Sequence, residues 1–444
     1  MNPKVTVVIP SLNVKDYIGE CLDSVTGQTL QEIEIFVVDA YSTDGTRKII
    51  DEYGKKDNRI TLLDDREKST GYSKNLGIDR ASAPYYAIVE SDDYIEPDML
   101  EKLYVKAEED GADIVKCGFD TFVGDGEKRF FFPKSVADSV GDYERTIKPS
   151  EEIRAFRFTM YEWLGLYRTS FLRERNIRHN ESKGAAFQDI GFWFLSMARA
   201  EKILLIRDIG YHYRFDNPNA SVKNPGKVFN TCDEYEYIRQ KLAQEENLWN
   251  KVEPAYYREY FHSNAAAYRS LSDELKPLLS LRMHTDLKSA DKNGHLDKNI
   301  FDEKERRCLD VLVSDSVEYD RMCKQCSMEQ KGRLYSLVKK LETASGCVIY
   351  GAGYYGSNLQ YILKNERIEI DAYVDSDVKK QGERLNGVPI LSPADGCKKY
   401  AGAYWLVANK WHGMEILKEL KIRYNIKEEH IHICDVEALA EVMV

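Results

Sequence analysis

Short hydrophobic runs alternate with amphipathic stretches along the first hundred residues. The runs are rich in β-branched and aromatic residues, which is typical of strands buried on both faces of a sheet. They cover residues 5–9, 34–38, 59–63 and 85–89. Between them, apolar residues recur three and four positions apart, and Asp16 is predicted to cap the first of these helices. This alternation predicts an α/β fold with a mostly parallel central sheet and helices on both faces.

Acidic residues directly follow two of the predicted strands. Asp39 ends the second strand, and residues 90–93, with the sequence Glu-Ser-Asp-Asp, end the fourth. Ligands of open α/β sheets bind beyond the carboxyl ends of the strands, so both sets of acids are predicted to lie at a binding edge. A solvated turn before the helix that Pro97 opens is the alternative, because acids also favour helix N-termini.

The rest of the chain divides by composition and pattern. Residues 155–215 are mixed and aromatic-rich, and residues 226–342 have a charged, helical pattern that includes a polar, linker-like stretch at 289–299. A second alternation of strand and helix begins at 347. We therefore expect a catalytic-type domain, a helical accessory region and a second small α/β domain, with the bounds 1–225, 226–342 and 343–444.

The second alternation contains a glycine motif of the Gly-x-Gly-x-x-Gly type. Its glycines are Gly351, Gly353 and Gly356, and the next strand ends at Asp375, about 20 residues later, as the dinucleotide-binding fingerprint requires. No Tyr-x-x-x-Lys or similar catalytic constellation follows. The motif predicts a Rossmann-like domain with a nucleotide-binding, regulatory or docking role. A purely structural role for the domain remains the alternative.

Composition narrows the classes of function. The chain has 444 residues, a net charge of −11 and a pI of about 5.5, whereas nucleic-acid binding usually leaves a basic footprint. No apolar run approaches the roughly 20 residues of a membrane span. Nine scattered cysteines indicate reduced cytosolic thiols, and Cys323 and Cys326 fit a helical pair better than a zinc site. A cytoplasmic protein is expected.

The acids at the strand ends limit the ligand. A phosphate can lie beside Asp92 and Asp93 only when a divalent cation lies between them, and Mg²⁺ or Mn²⁺ takes few protein carboxylates and completes its shell with substrate phosphates and water. A metal-bridged nucleoside diphosphate would therefore explain a hydrophobic strand that ends in acids. His212, between Tyr211 and Tyr213, is either a metal or phosphate ligand or a core histidine.

The N-terminal motifs resemble those of family 2 glycosyltransferases of the GT-A fold. They are VTVVIPSLN at 5–13, FVVDAYSTDGT at 36–46, GYSKNLGI at 71–78, ESDD at 90–93, FQDIGFWF at 187–194, YHYR at 211–214 and NPNAS at 217–221. The C-terminal stretches YGAGYYG, YVDSD and NGVPILSP resemble small nucleotide- or CoA-binding-like domains that are appended to bacterial polysaccharide enzymes. The resemblance implies an inverting hexosyltransferase of the bacterial polysaccharide type.

The resemblance also implies residue roles. Asp39 would contact the nucleotide base, Asp92 the ribose, and Asp189 would be the general base. Asp93 would ligate the metal, with His212 as a weaker metal candidate. The implied donor-binding residues are Pro10, Asn13, Asp39, Lys74 and Asp92.

Three functions remain under consideration. The first is transfer of a sugar from a nucleoside diphosphate, with uridine the commonest in the family, to a saccharide or a lipid-linked saccharide, with Mn²⁺ or Mg²⁺ as cofactor. The second is nucleotide-sugar binding or sensing without catalysis, and the third is a dinucleotide-dependent oxidoreductase centred on Gly351–Asp375. A lipid-linked acceptor would bring the protein to the inner membrane face as a peripheral contact. The sugar, the linkage and a homo-oligomeric state are left open.

Overall fold

The computed structural model describes most of the chain in two compact units. The described residues are 2–137, 139–185, 187–218, 228–409, 412–436 and 439. The first unit combines Met1–Asp120 with Ser135–Glu318, and the second combines Thr121–Lys134 with Tyr319–Val444. Within the described ranges, no helix has the length and apolar character needed to cross a membrane. The three domain bounds drawn from the sequence stay a prediction.

The first four strands occur where the hydrophobic runs predict them, and, among the described residues, six further strands follow up to residue 214. They are β1 Val5–Ser11, β2 Ile33–Asp39, β3 Ile60–Asp64, β4 Tyr85–Ile88, β5 Tyr94–Ile95, β6 Ile114–Val123, β7 Phe130–Lys134, β8 Thr146–Ile147, β9 Gly165–Arg168 and β10 Ile203–Arg214. The path of the large sheet is β3-β2-β1-β4-β9-β6-β10-β5. The first four strands are parallel, as predicted. Antiparallel pairing of β9 with β4 and β6 then makes the sheet mixed.

Eleven helices accompany these strands up to residue 341 in the described chain. They are α1 Ile18–Thr26, α2 Thr46–Lys56, α3 Thr70–Arg80, α4 Met99–Asp110, α5 Thr169–Glu174, α6 Gln188–Arg199, α7 Asn230–Leu242, α8 Glu246–Ser270, α9 Lys276–Lys292, α10 Glu303–Ser314 and α11 Ser316–Leu341. Strand β1 is buried along its whole length. It packs against α3, where a Cβ on Gly77 would lie 2.3 Å from Val8 Cγ2.

One local prediction is wrong, one holds in part, and one is confirmed. Asp16 does not cap α1, which begins after Tyr17 without a side-chain cap hydrogen bond. The stretch 289–299 is not all linker, because α9 continues to Lys292 with its polar residues on an exposed face. Cys323 and Cys326 both lie within α11, as the helical-pair interpretation predicts.

The second unit contains a six-stranded sheet of its own. Its later elements are β11 Cys347–Tyr350, α12 Tyr354–Asn365, β12 Ala372–Val374, β13 Arg384–Leu385, β14 Val388–Leu391, α13 Pro393–Lys399, β15 Tyr404–Val407, α14 Gly413–Ile422 and β16 Ile431–Ile433. The order is β13-β14-β12-β11-β15-β16, and only the β13–β14 hairpin is antiparallel. Strand, glycine turn and helix thus follow one another as the motif predicts.

Replacing Gly356 by alanine is expected to destabilise the second unit by about 1–3 kcal/mol, the usual cost of overpacking. A Cβ at this position would lie 1.8 Å from the carbonyl oxygen of Gly351, so the turn and α12 would have to separate. Gly332→Ala is the matched control, because no heavy atom lies within 4 Å of its Cβ position on α11. Denaturant unfolding measures both, and equal midpoints for Gly356→Ala and the unsubstituted protein would contradict the prediction.

Candidate functional site

The acids predicted to share one sheet edge do so. In the parallel register Ser11 pairs with Asp39 and Asp39 with Asp64, so the ends of the first three strands are level. The Val89 N–H donates to the Val8 carbonyl at 3.0 Å, which extends β4 alongside β1 before the acids at 90–93 begin. The carboxyl ends of the parallel strands therefore lie together along one edge of the sheet, which we call the wall of the candidate site.

At one end of this wall, Asp39 organises the loop after β2. Its carboxylate has no exposed surface and accepts hydrogen bonds from Ser42 N (2.9 Å), Ser42 Oγ (2.5 Å) and Arg47 Nη1 (3.0 Å). Asn13 joins the loop after β1 to the same turn, since its Oδ1 accepts from Thr43 N at 2.9 Å and its N–H donates to Ser42 Oγ at 2.8 Å. Asn13 and Asp39, which are both predicted to bind the donor, therefore accept hydrogen bonds from the backbone of the loop after β2.

Three further residues complete this end of the wall. Pro10, also predicted to bind the donor, is buried within β1. Leu12 and Tyr41 are 52% and 45% exposed, and the guanidinium of Arg47 lies 5.7 Å from the Tyr41 ring. Sequence reasoning did not assign a role to Tyr41. Its signal would have been an aromatic residue in the polar turn directly after Asp39.

The two neighbouring aspartates after β4 differ in their surroundings. Asp93 is 1% exposed, and its carboxylate accepts from Tyr211 Oη at 2.8 Å and from Arg214 N at 2.7 Å. Asp92 is only partly buried and accepts from Asn217 Nδ2 at 2.7 Å through Oδ2. No other described residue donates to its Oδ1. Burial raises the pKa of both carboxyls, that of Asp93 well above its usual range.

His212 is committed to other partners. Its ring nitrogens lie 2.7 Å from Asp120 Oδ1 and 2.8 Å from Glu96 Oε1, and its ring stacks on Tyr94 with centroids 4.3 Å apart. Because side chains alternate along β10, the neighbouring Tyr211 reaches the acids while His212 points to the opposite face. Burial acts to lower the pKa of His212, but the two carboxylates raise it above its ordinary value. His212 is thus bound to carboxylates away from Asp92 and Asp93.

Lys74, also predicted at the donor, is the centre of a buried ionic cluster. Its Nζ donates to Glu90 Oε1 at 2.8 Å and to Glu162 Oε1. The other oxygen of Glu162 contacts His179 Nε2. Burial would lower the pKa of Lys74, but the charges of Glu162 and Glu90 raise it. Burial would likewise raise the pKa of Glu162, but Lys74 and His179 lower it to about 2.

Sequence reasoning missed two members of this cluster. Glu162 has no exposed surface, and His179 lies under the ring of Phe192 with centroids 4.1 Å apart. The one available signal was the acid of Glu162 inside an aromatic stretch, because a charge predicted to be buried needs a partner. That partner lies 88 residues away in the sequence.

Asp189 lies in the first turn of α6, as its sequence context predicts. The residue is half-buried, and no other residue in the described part of the chain donates a hydrogen bond to its carboxylate. Burial and the negative charge of Glu162 raise the pKa of Asp189 to about 7, although Lys74 acts in the opposite direction. A carboxylate with this pKa can accept and release a proton near neutral pH. Asp189 therefore lies within electrostatic reach of the buried cluster.

The glycine motif of the second unit uses its acid internally. Asp375 accepts from Ala352 N at 2.9 Å, from Asp377 N at 2.9 Å and from Lys380 Nζ at 3.2 Å. Gly351 has a φ of +113°, which favours glycine, and Gly353 precedes the first residue of α12. The acid of the dinucleotide-binding fingerprint thus closes the glycine turn on itself.

Two protein-family models match separate parts of the chain. The family model described as glycosyl transferase family 2 matches residues 6–177. A second model, described as C2185-like, N-terminal, matches residues 343–432.

Among curated proteins, the chain is similar to several bacterial transferases. The uncharacterized glycosyltransferase EpsJ of Bacillus subtilis (strain 168) is 31% identical over 228 residues, which cover 51% of this chain and 65% of EpsJ. The glycosyltransferase GlyA of Streptococcus pneumoniae is 29% identical over 228 residues, 50% of this chain and 32% of GlyA. The poly(ribitol-phosphate) beta-N-acetylglucosaminyltransferase TarS of Staphylococcus aureus is 27% identical over 213 residues, 47% of this chain and 35% of TarS. The chain thus spans less than two thirds of the length of each of these relatives.

Solved structures identify the fold. Crystal structures of S. aureus TarS 1-349 in complex with UDP and with UDP-GlcNAc superpose with TM-scores of 0.55 and 0.56 at 19% identity. They cover 73% of this chain and 91% and 92% of theirs. The glycosyl transferase family 2 model therefore matches the part of the chain that contains the parallel strands, and the chain has the GT-A fold that the sequence predicts.

Proposed function

We propose that the first unit is a metal-dependent, inverting glycosyltransferase that uses a nucleoside-diphosphate sugar. The observation that carries this proposal is the carboxylate of Asp189, which lies in the first turn of α6 beside the buried cluster, lacks a donor from any other described residue and has a pKa that burial and Glu162 raise to about 7. The acceptor is a hydroxyl of a saccharide or of a lipid-linked saccharide, as in polysaccharide synthesis. The presence of Asp189 and Asp92 favours catalysis over simple binding of the nucleotide sugar.

In the proposed reaction, Asp189 acts on the acceptor. An oxygen of its carboxylate takes the proton of the acceptor hydroxyl while the hydroxyl oxygen forms a bond to the anomeric carbon. The bond from that carbon to the nucleoside diphosphate breaks on the opposite face, so the configuration inverts and the diphosphate leaves with its electron pair. The buried charges of Lys74 and Glu162 fix the electrostatic environment in which Asp189 titrates.

Asp92 is the residue that we propose as the protein ligand of Mn²⁺ or Mg²⁺. It fits better than Asp93, the ligand implied by the family resemblance, because both oxygens of Asp93 already accept hydrogen bonds from buried groups. A single carboxylate suits these hard cations, which also bind donor phosphates and water. Such a cation would neutralise charge on the diphosphate.

For the nucleotide we propose uridine diphosphate. The TarS structures, which contain UDP and UDP-GlcNAc, support this choice for a domain of the same fold. Tyr41 offers an exposed ring at the end of the wall where Asn13 and Asp39 hold the backbone. In this proposal the base lies against Tyr41, and Asp39 acts through the loop that it holds.

The proposed place of action is the cytoplasm, or the inner membrane face if the acceptor is lipid-linked. All nine cysteines lie within the described ranges and none of them forms a disulfide, which suits a reducing compartment.

The transfer rate is expected to depend on pH through Asp189. A general base works only when deprotonated, and because burial raises the pKa of this carboxyl to about 7, kcat should fall as the pH drops below 7 and level off above 8. Initial rates from pH 5.5 to 9 at saturating donor and acceptor measure the profile. A flat profile down to pH 5.5 would exclude Asp189 as the titrating base.

The donor and metal assignments are tested by ligand-induced stabilisation. UDP at about 100 times its dissociation constant should add roughly 2.7 kcal/mol of stability, and we expect that gain to require Mn²⁺. Asp92→Asn should keep the melting temperature of the free protein and lose the metal-dependent part of the gain. Asp93→Asn is the matched comparison, and it should lower the melting temperature itself because two buried hydrogen bonds are disturbed. Full Mn²⁺-dependent stabilisation of Asp92→Asn would contradict the assignment.

A further inference from the structure

A second cavity lies in the helical part of the first unit. Helices α7, α8 and α9 enclose about 490 Å³ of space open to solvent. Residues 232, 236 and 239 of α7 line it from one face of the helix, and Ala243 lines it directly after the helix end. Glu234 lies on the other face and accepts from Asn180 Nδ2 at 2.8 Å, towards α6 and Asp189. The cavity is therefore separate from the proposed transfer site.

The walls of the cavity combine aromatic rings with polar groups that are only partly used. Glu253 Oε1 accepts from Trp249 Nε1 at 3.0 Å and lies 3.0 Å from His295 Nδ1, while no described residue donates to its Oε2. Arg282 Nε donates to Asp286 Oδ2 at 2.7 Å, which leaves the two terminal guanidinium nitrogens for a ligand. The half-buried Tyr257 hydroxyl has no hydrogen-bond partner among the described residues. Donors and acceptors thus stand side by side in one cavity.

The charge of the cavity argues against an anionic ligand. Arg239 pairs with Glu236 through two hydrogen bonds of 3.0 Å, and Arg282 pairs with Asp286. With Glu253 included, the carboxylates outnumber the guanidinium groups, whereas phosphate sites carry an excess of positive charge. Hydroxyl groups both donate and accept, so they match mixed walls of this kind. The C–H faces of sugar rings also suit aromatic faces, whose electron density is negative.

We propose that this cavity binds an uncharged saccharide. The sugar ring lies against Trp249 and Tyr257, and its hydroxyls bond to Arg282, Glu253 and Asp286. The volume is within the range of about 300–1,000 Å³ that small-molecule sites occupy. The inference does not depend on sugar transfer at Asp189. It gives the helical region a glycan-holding role of its own.

Saturation-transfer difference NMR on the full chain tests the proposal. The probes are maltose, cellobiose, lactose and N,N′-diacetylchitobiose, each added alone and without nucleotide or metal. At least one should show transfer from the protein. Its affinity should fall roughly tenfold in Trp249→Ala and in Arg282→Gln, about the effect of losing one ring contact or one charged hydrogen bond. Tyr335→Ala, which removes an exposed ring on α11, should bind as the unsubstituted protein does.

Several outcomes would overturn the proposal. The first is that none of the four disaccharides binds. The second is that binding is unchanged in both Trp249→Ala and Arg282→Gln, which would place the binding site elsewhere on the protein. Competition by inorganic phosphate would identify an anion site instead. Tyr257→Phe removes only a hydroxyl and keeps the packing, so a loss of affinity in this variant supports the cavity even if Trp249→Ala fails to fold. Unchanged binding in Asp189→Asn separates this result from the fate of the proposed transfer reaction.

Discussion

Replacing Asp189 by asparagine is expected to lower kcat by about 10²–10⁴-fold, the usual contribution of a positioned general base. Asparagine has nearly the same shape and keeps the hydrogen-bonding capacity of one oxygen, but it cannot take a proton from the acceptor. UDP binding should stay nearly unchanged, because the metal and diphosphate are assigned to Asp92. The loss should therefore appear in kcat and leave the affinity for the donor intact.

The measurement is transfer from a UDP-sugar to a saccharide acceptor, with UDP affinity determined on the same protein preparations. Asp51→Asn is the matched control, because Asp51 is exposed on α2 and has no role in the proposed site. It should transfer as fast as the unsubstituted protein. Equal rates for Asp189→Asn and the unsubstituted protein would remove Asp189 from the mechanism, and loss of UDP binding in Asp189→Asn would move it to the donor site.

The sequence predicts which strand ends form the wall of the candidate site, because the hydrophobic runs that indicate these strands are local patterns. A continuous β-branched run at 5–9 has to be a buried strand, and the same holds for 34–38 and 85–89. Once strand and helix alternate, the strands are parallel and their carboxyl ends meet. Asp39 and residues 90–93 are then neighbours by topology alone, and the observed register of β1 with β2 and β4 agrees with this.

The different surroundings of Asp92 and Asp93 could not be predicted from local patterns in the same way. Two adjacent residues after a strand point in different directions, and the sequence does not say which one points inward. The answer depends on β10, whose Tyr211 and Arg214 reach Asp93 from 118 and 121 residues away. Family resemblance supplies a role for the motif, but the oxygen that accepts from no described residue belongs to Asp92, because the distant strand donates to both oxygens of Asp93.

The buried cluster of Lys74, Glu90, Glu162 and His179 illustrates the same limit. Each residue alone reads as an ordinary polar position in a helix or loop, and only tertiary contact makes them one unit. Burial of a charge is costly unless a partner offsets it, so these residues depend on one another for stability. The same charges surround Asp189 and affect its pKa. Stability and proposed catalysis therefore share residues here.

Replacing Lys74 by methionine is accordingly expected to lower the free energy of unfolding by about 3–5 kcal/mol, the usual cost of leaving a buried charge without its partner. Methionine keeps most of the side-chain volume but leaves Glu162, with no exposed surface, and Glu90 without their cation. Lys48→Met is the matched control. Its ammonium is 83% exposed on α2 and pairs with Glu52 at 4.0 Å, so removing it should cost less than about 1 kcal/mol.

Adding Glu162→Gln to Lys74→Met tests whether the loss of stability arises from unpaired charge. If it does, the double variant should be more stable than Lys74→Met alone, because neutralising Glu162 removes most of the uncompensated charge, and the two effects will not add. Urea unfolding of the unsubstituted protein, Lys74→Met, Glu162→Gln and the double variant gives the coupling energy. Strict additivity would mean that Lys74 and Glu162 stabilise the unit independently, so the cluster could not act as one electrostatic unit beneath Asp189. A strong coupling would instead explain how a buried lysine is kept charged so close to the proposed base.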